Sequence, residues 1–328
     1  MNSTLQINLA PSDYRISRYL LSHQIETWRE QVDEILLTID LRKSNGRFGM
    51  DWEAGKSKLL EVVSSFGDTV RVVNVDYSLD MMRRVAIRWT GGCPIPAKDF
   101  RGGPCYSYLY GMFAARGRWI LHSDADMLFG GRSPTWLAEA IEFVSQNPEV
   151  LFAAPHSGAP ASGISQRSLP NQPDDRAING SIFDFMSTRL FLIDTDRFDQ
   201  LVKRFVPVRP SWRGRLKAKI EGNPAWDLPE HWMTTAMIKH HMIRYEFSGT
   251  GNGMWSLHPP YRCEDFYRKL PDIIACVENG TLPQLQVGQH DLTDSMVDWS
   301  EAKIALRRNR WWKRLLCSKR AVQITRSA

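Results

Sequence analysis

The sequence is poor in several features that would assign a protein to a class at once. Cysteine is scarce: five in 328 residues, at positions 93, 105, 263, 276 and 317, with no C-x-x-C pair. That argues against a zinc ribbon or a disulfide framework, and a reducing compartment is the simpler expectation. No apolar run reaches the ~18 residues that a membrane-spanning helix needs. The start, Met1-Asn2-Ser3-Thr4-Leu5-Gln6-Ile7, has no cationic opening that leads into an apolar core, so no signal peptide is expected. There is no internal repeat and no true P-loop. The stretch from Gly49 to Ser57 imitates one but has five spacer residues where four are needed. His240-His241 lacks the H-E-x-x-H spacing of a zinc protease helix.

What remains is globular in composition, with 43% hydrophobic and 24% charged residues, enough to bury a core as one large domain or two modest ones. The net charge is +6, and much of the excess gathers in Arg307-Arg308-Asn309-Arg310-Trp311-Trp312-Lys313-Arg314-Leu315-Leu316. As a helix, this segment would cluster Ile304, Trp311, Trp312, Leu315 and Leu316 on one side and cations on most of the rest. It reads either as a segment lying on an anionic membrane surface or as a terminal helix with a solvated basic face. The protein is therefore expected in the cytoplasm, with peripheral contact at the cytoplasmic membrane face as the variant. No nucleic-acid partner is expected.

The first half alternates strand and helix patterns. Strands are expected at residues 5–9, 34–40, 71–76, 119–126 and 150–154. Helices are expected from Pro11-Ser12-Asp13 onward, over 59–66, over 106–116 with Gly117 as a left-handed stop, and after the N-cap pair Ser133-Pro134. This rhythm predicts a mostly parallel sheet covered by helices, with ligands outside the carboxyl ends of the strands. Residues 155–181, rich in Pro, Ser, Gly and Asn, read as a long functional loop. The mixed second half resumes with a strand at 188–194, a helix at 196–205, a helix opened by Asp227-Leu228-Pro229 and a strand at 242–247. That strand runs into the glycine-rich stretch 248–253.

The chemistry concentrates in Trp119-Ile120-Leu121-His122-Ser123-Asp124-Ala125-Asp126. Residues two apart in an extended strand share a side, so Asp124 and Asp126 are expected to converge at the strand's carboxyl edge. Crowded carboxylates repel unless a cation sits between them, and a hard divalent ion that carries a diphosphate suits the place. A polar turn closing a strand would show the same residues. Asp40 and Asp76 fall at the same edge. His258, stiffened by Pro259-Pro260, is a candidate to join Asp126 on the metal. Mixed nitrogen and oxygen ligation would make Mn²⁺ as suitable as Mg²⁺. Glu230, at a helix start, is either a general base or a favourable partner of the helix dipole, with Asp227 as the second candidate base. Gly102-Gly103-Pro104 would let backbone approach a phosphate, with Lys98 and Arg101 adding charge; a plain turn and exposed cations explain them as well.

Taken in order, Asp40, Asp76, the glycine-rich turn and RGRWILHSDADMLFGG resemble the inverting glycosyltransferases of the GT-A fold, family 2 type, over roughly residues 4–265. The resemblance implies an α/β fold with a mostly parallel central sheet flanked by helices and a mixed acceptor-binding second half. Residues 1–131 would form the nucleotide-sugar half, 132–265 the acceptor half and 266–328 a C-terminal helical extension. It implies a metal-dependent transferase moving a sugar from a nucleotide-diphospho-sugar to a saccharide or lipid-linked acceptor hydroxyl, in polysaccharide or glycolipid synthesis. Asp124, Asp126 and His258 would hold Mn²⁺ or Mg²⁺. Asp40, Asp76, Arg101 and Asp124 would bind the donor, and Glu230 or Asp227 would act as base. Two elements depart from the family pattern: Ala10-Pro11-Ser12-Asp13-Tyr14 stands for Pro-x-Tyr-Asn, and Asp40-Leu41-Arg42-Lys43 for Asp-Asp-Gly-Ser. The rivals are a nucleotidyltransferase of similar fold, which would carry a basic glycine-rich loop after the first strand, and a non-catalytic carbohydrate-binding protein.

Overall fold

A computed structural model describes residues 2–45, 49, 51–160 and 180–308. The chain opens with β1 (Ser3–Leu9), α1 (Tyr14–Trp28), β2 (Glu34–Ile39), α2 (Trp52–Ser64), β3 (Arg71–Asn74), α3 (Leu79–Thr90) and α4 (Tyr106–Ala114). It continues through β4 (Trp119–Asp124), β5 (Leu128–Gly130), α5 (Trp136–Gln146), β6 (Val150–Ser157), β7 (Gly180–Phe183) and β8 (Leu190–Asp194). The last part holds the single turn α6 (Thr195–Arg197), α7 (Trp212–Glu221), α8 (Pro229–Lys239), β9 (Ile243–Phe247), β10 (Trp255–Leu257), α9 (Glu264–Glu278) and α10 (Ser300–Arg308).

The strands form one ten-stranded sheet in the order β3-β2-β1-β4-β8-β6-β10-β5, with β9 beside β6 and β7 beside β9. The first four run parallel. The expected α/β architecture, parallel in its first half and mixed in its second, is therefore present. The mixing comes from β8, antiparallel to both β4 and β6. Alternation along the strands feeds two cores. Leu5, Ile7, Leu9, Trp119 and Leu121 pack with α1, α2, α5 and α9 on one face. Ile120, Phe152, Phe191 and Ile193 pack with α3, α4 and α8 on the other. Helices thus cover both faces, as parallel strands buried on both sides require.

Several expected boundaries move. Strand β4 ends at Asp124, and Asp126 lies in the following turn, where the Met127 amide donates to the Asp124 carbonyl at 3.4 Å. The two acids therefore do not share a strand face. Helix α4 stops at Ala114 because Ala115 turns extended, so Gly117 is not its left-handed stop. The N-cap of α5 is Thr135 rather than Ser133, which lies two residues ahead of it. The stretch 196–205 is one α-turn and a π-turn over Phe198–Val202, not a continuous helix. Of the 155–181 loop, 155–157 extend β6 and 180–181 begin β7; residues 161–179 lie outside the described residues. So does the basic segment from residue 309 onward. A boundary at 265 falls inside α9, whose Phe266, Leu270, Ile273 and Val277 are buried in the same core as β1 and α1.

Candidate active site

The carboxyl ends of β1, β2 and β4 lie side by side, since Leu9 pairs with Ile39 and Asn8 with Asp124. Asp13, Asp40 and Asp124 close those three strands or follow them directly. Beneath Asp124 runs a buried polar ladder. The Gln6 amide nitrogen donates to Thr38, its oxygen receives His122 Nδ1 at 2.6 Å, and His122 Nε2 lies 3.6 Å from Asp124 Oδ1. Gln6, Thr38 and His122 are each fully buried. The two Gln6 links are the hydrogen bonds that buried polar groups need, whereas His122 Nε2 is buried without one.

Asp124 accepts a hydrogen bond from the Tyr108 hydroxyl, and Thr188 bonds that same hydroxyl. Burial, and then the charge of Asp124, push the Tyr108 phenol far above its ordinary range, so it stays a donor. Asp126 is set differently. Its Oδ2 receives Arg262 Nη2 at 2.8 Å, and its Oδ1 lies 3.6 Å from His258 Nε2. Burial alone would raise the Asp126 carboxyl. His258 and Arg262 outweigh it and hold the group below the usual carboxylate range. Arg262 also reaches Asp13 Oδ1 at 2.6 Å, so one guanidinium joins the loops after β1, β4 and β10.

The other edge of the His258 ring faces Asp291. His258 Nδ1 is 3.4 Å from Asp291 Oδ1, an oxygen that also receives Arg189 Nη1 at 3.1 Å. A backbone bridge between 258 and 291 fixes this apposition. The strand that delivers His258 is seated by Gly130, where a Cβ would come within 2.0 Å of the Trp255 ring.

These residues fit a divalent ion. The separation of 3.6 Å between Asp126 Oδ1 and His258 Nε2 is too long for a good hydrogen bond. Two donors each about 2.1 Å from one ion lie about 3–4 Å apart, so the observed separation already suits one. His258 Nδ1 is buried without a good hydrogen bond yet aimed at a carboxylate, the arrangement that orients a metal-binding imidazole. Only two protein donors converge: among the described residues no group of three His, Cys, Asp or Glu could hold an ion. Asp124, tied to Tyr108, is not brought onto His258.

The remaining candidates are placed as follows. Glu230 lies at the second position of α8, and its Oε2 accepts the Thr188 amide at 3.4 Å. Since Thr188 also bonds Tyr108, a chain of two residues, Thr188 and Tyr108, links Glu230 to Asp124. Asp227 is spent on the start of the same helix, through the Leu228 amide at 2.9 Å and His231 Nδ1 at 2.9 Å. Asp40 is engaged by Lys98 Nζ at 2.6 Å, the Tyr77 hydroxyl at 3.0 Å and the Arg42 amide at 2.9 Å. Asp76 receives the Ser78 amide at 2.7 Å, just before α3. In the glycine-rich turn the Arg101 and Gly103 amides both donate to Asp99 Oδ1, at 2.7 and 2.9 Å, so they are not aimed at a ligand. The Arg101 side chain lies along Asp99, 3.8 Å away. Sequence reading missed Asp13, Tyr108, Thr188, Arg189, Arg262 and Asp291. Arg262 alone left a signal, four residues after His258 in HPPYR.

No family model matches the sequence, and no curated protein matches it. Solved structures are similar to it at low identity. Residues 1–349 of S. aureus TarS are 9% identical with a TM-score of 0.37, over 78% of this chain and 60% of that one. The mannosyltransferase PcManGT from Pyrobaculum calidifontis, in complex with GDP-Man and Mn²⁺, is 10% identical with a TM-score of 0.32, over 70% of this chain and 55% of that one. The galactosyltransferase LgtC, in complex with donor and acceptor sugar analogues, is 8% identical with a TM-score of 0.36, over 86% of this chain and 98% of that one. The chain thus spans less than two thirds of the TarS fragment and of PcManGT.

Proposed function

We propose that the chain is an inverting glycosyltransferase that moves a sugar from a nucleotide-diphospho-sugar to an acceptor hydroxyl. The observation that supports this reading is the pairing of Asp126 with His258 at the carboxyl edge of a doubly covered sheet, with Glu230 linked to Asp124 through Thr188 and Tyr108. Asp126 and His258 are the residues that would hold Mn²⁺ or Mg²⁺. When bound, such an ion offsets charge on the diphosphate.

Every other role falls to the chain itself. Arg262 holds Asp126 in place and keeps it ionised. Asp124, steadied by Tyr108, accepts from a hydroxyl of the donor. Asp76 is the acid proposed for the base or ribose, because Asp40 is already bound by Lys98, Tyr77 and Arg42. Arg101, whose side chain lies along Asp99, is the proposed source of positive charge for the donor. Glu230 takes the proton from the acceptor oxygen as that oxygen attacks the anomeric carbon from the face opposite the leaving diphosphate. A single displacement of this kind inverts the configuration. Asp227 supports the start of the helix that carries Glu230.

The test is Glu230→Gln. Turnover of the cognate nucleotide sugar should fall by about 10²–10⁴-fold, while affinity for the nucleoside diphosphate stays within twofold or so of the parent. A variant with undiminished turnover would remove Glu230 from the reaction.

A further inference from the structure

Residues 201–219 differ from the rest of the described surface. Seven lysines and arginines fall in this stretch, and no acid does. Only Lys217 among them is half-buried; the others are exposed. In the same stretch Leu201, Val206, Trp212 and Leu216 are exposed at 43%, 46%, 64% and 42%. Large apolar side chains that reach solvent are thus concentrated where the cations are.

Helix α7 shows how this arises. Gly214 and Ala218 are its buried residues, and Gly214 packs against Pro210 and Phe100. Trp212 and Leu216 stand two positions before each of these, about 200° around the helix. The helix is therefore held to the body by its small-residue face and turns Trp212 and Leu216 outward. Arg213 lies 5.2 Å from the Trp212 ring. Glu221, just past the stretch, pairs with Lys217; an outward indole among the other, exposed cations suits a bilayer surface, with the ring at headgroup level and the cations on lipid phosphates. Nucleic acid shares the phosphate chemistry, but gives no reason for aliphatic side chains to face outward.

The stretch also borders the candidate site. The Asp227 amide donates to the Val208 carbonyl at 2.9 Å, and Arg209 stacks 3.5 Å over Trp226. Trp226 in turn accepts the Phe100 amide at 2.8 Å, in the loop beside Arg101. We infer that residues 201–219 are a docking surface for anionic lipid headgroups, which brings the mouth of the site to the bilayer. That the acceptor is then lipid-linked rests on the glycosyltransferase reading; the docking itself does not.

The test uses the full chain with phosphatidylcholine vesicles, with and without phosphatidylglycerol, read by co-sedimentation and tryptophan emission. The parent should bind the anionic vesicles and not the neutral ones. Arg213→Glu/Arg215→Glu should weaken that binding by at least about tenfold. Trp212→Ser should weaken it too and reduce the emission shift, with thermal melting unchanged in both variants. The C-terminal basic segment is present throughout, so unchanged binding in these variants overturns the inference. A parent that ignores anionic vesicles, or that prefers single-stranded RNA to them, overturns it as well. Donor-nucleotide binding measured without vesicles decides the glycosyltransferase reading separately.

Discussion

His258 has a carboxylate on each side of its ring, and the two carboxylates do different work. Asp126 faces Nε2 and Asp291 faces Nδ1. A hydrogen on Nδ1 leaves the Nε2 lone pair for the ion, so Asp291 is a positioning residue that selects the useful tautomer. Asp291→Asn should weaken Mn²⁺ affinity by about 10–100-fold, measured by titration of the metal alone, and Asp291→Glu should restore part of it. The metal-free melting temperature should move by no more than about 2–4 °C. Undiminished Mn²⁺ binding in Asp291→Asn would separate Asp291 from the site. His258 was legible as a partner of Asp126, but the role of Asp291 was not. Asp291 lies far down the chain from Asp126, and only the pairing of the 258 and 291 backbones brings them together. Asp126 was legible as an acid at a strand end, but the turn that separates it from Asp124 was not.

Among the elements, the apolar strands are the best-marked feature of the sequence. β1, β2 and β4 carry Leu and Ile at buried positions with no competing helical pattern, and their ends fall within two residues of those expected. Helix α3, with its largely exposed polar face, went unmarked, and α9, which carries Pro271 in its interior, was expected only as part of the helical extension over 266–328. The amino ends of the parallel strands are held by a clamp of a different kind. Glu34 accepts the Thr4 hydroxyl at 2.7 Å, Arg71 Nε at 2.7 Å and the Arg116 amide at 2.9 Å. Burial raises the Glu34 carboxyl, but these donors outweigh it and the group sits below its ordinary value. A carboxyl depressed in the folded state adds stability above the unfolded value, and that stability is lost as pH falls through the folded one. Glu34→Gln should therefore cost about 1–2 kcal/mol near neutral pH, with the difference from the parent shrinking as acid is added. Chemical denaturation across pH 3–7 (roughly the span of carboxylate titration) would show it. A constant difference would exclude the clamp.

At the scale of the whole molecule, the C-terminal helices are part of the core. Phe266, Leu270, Val277 and Trp299 are each at most 2% exposed and pack in the cluster that holds β1 and α1. His23 of α1 ties the same region together. Its Nε2 accepts the Phe129 amide at 2.8 Å, and its Nδ1 lies 2.7 Å from Glu278 of α9. Burial lowers the His23 pKa, which keeps the ring neutral and suited to that pair of bonds. Each large apolar side chain buried this way contributes about 1.5–3 kcal/mol, so losing several would consume the ~5–15 kcal/mol of a typical domain. A chain ended at residue 265 should fail to fold, and the intact chain should melt in one transition; a soluble, cooperatively melting truncation would contradict this. The central claim concerns the site that this fold assembles, and calorimetric titration of a panel of nucleotide sugars with Mn²⁺ tests it most directly. The account predicts that one donor binds the parent in a metal-dependent way and is lost in Asp126→Ala. Binding that survives Asp126→Ala unchanged, or no binding from any donor, would contradict it.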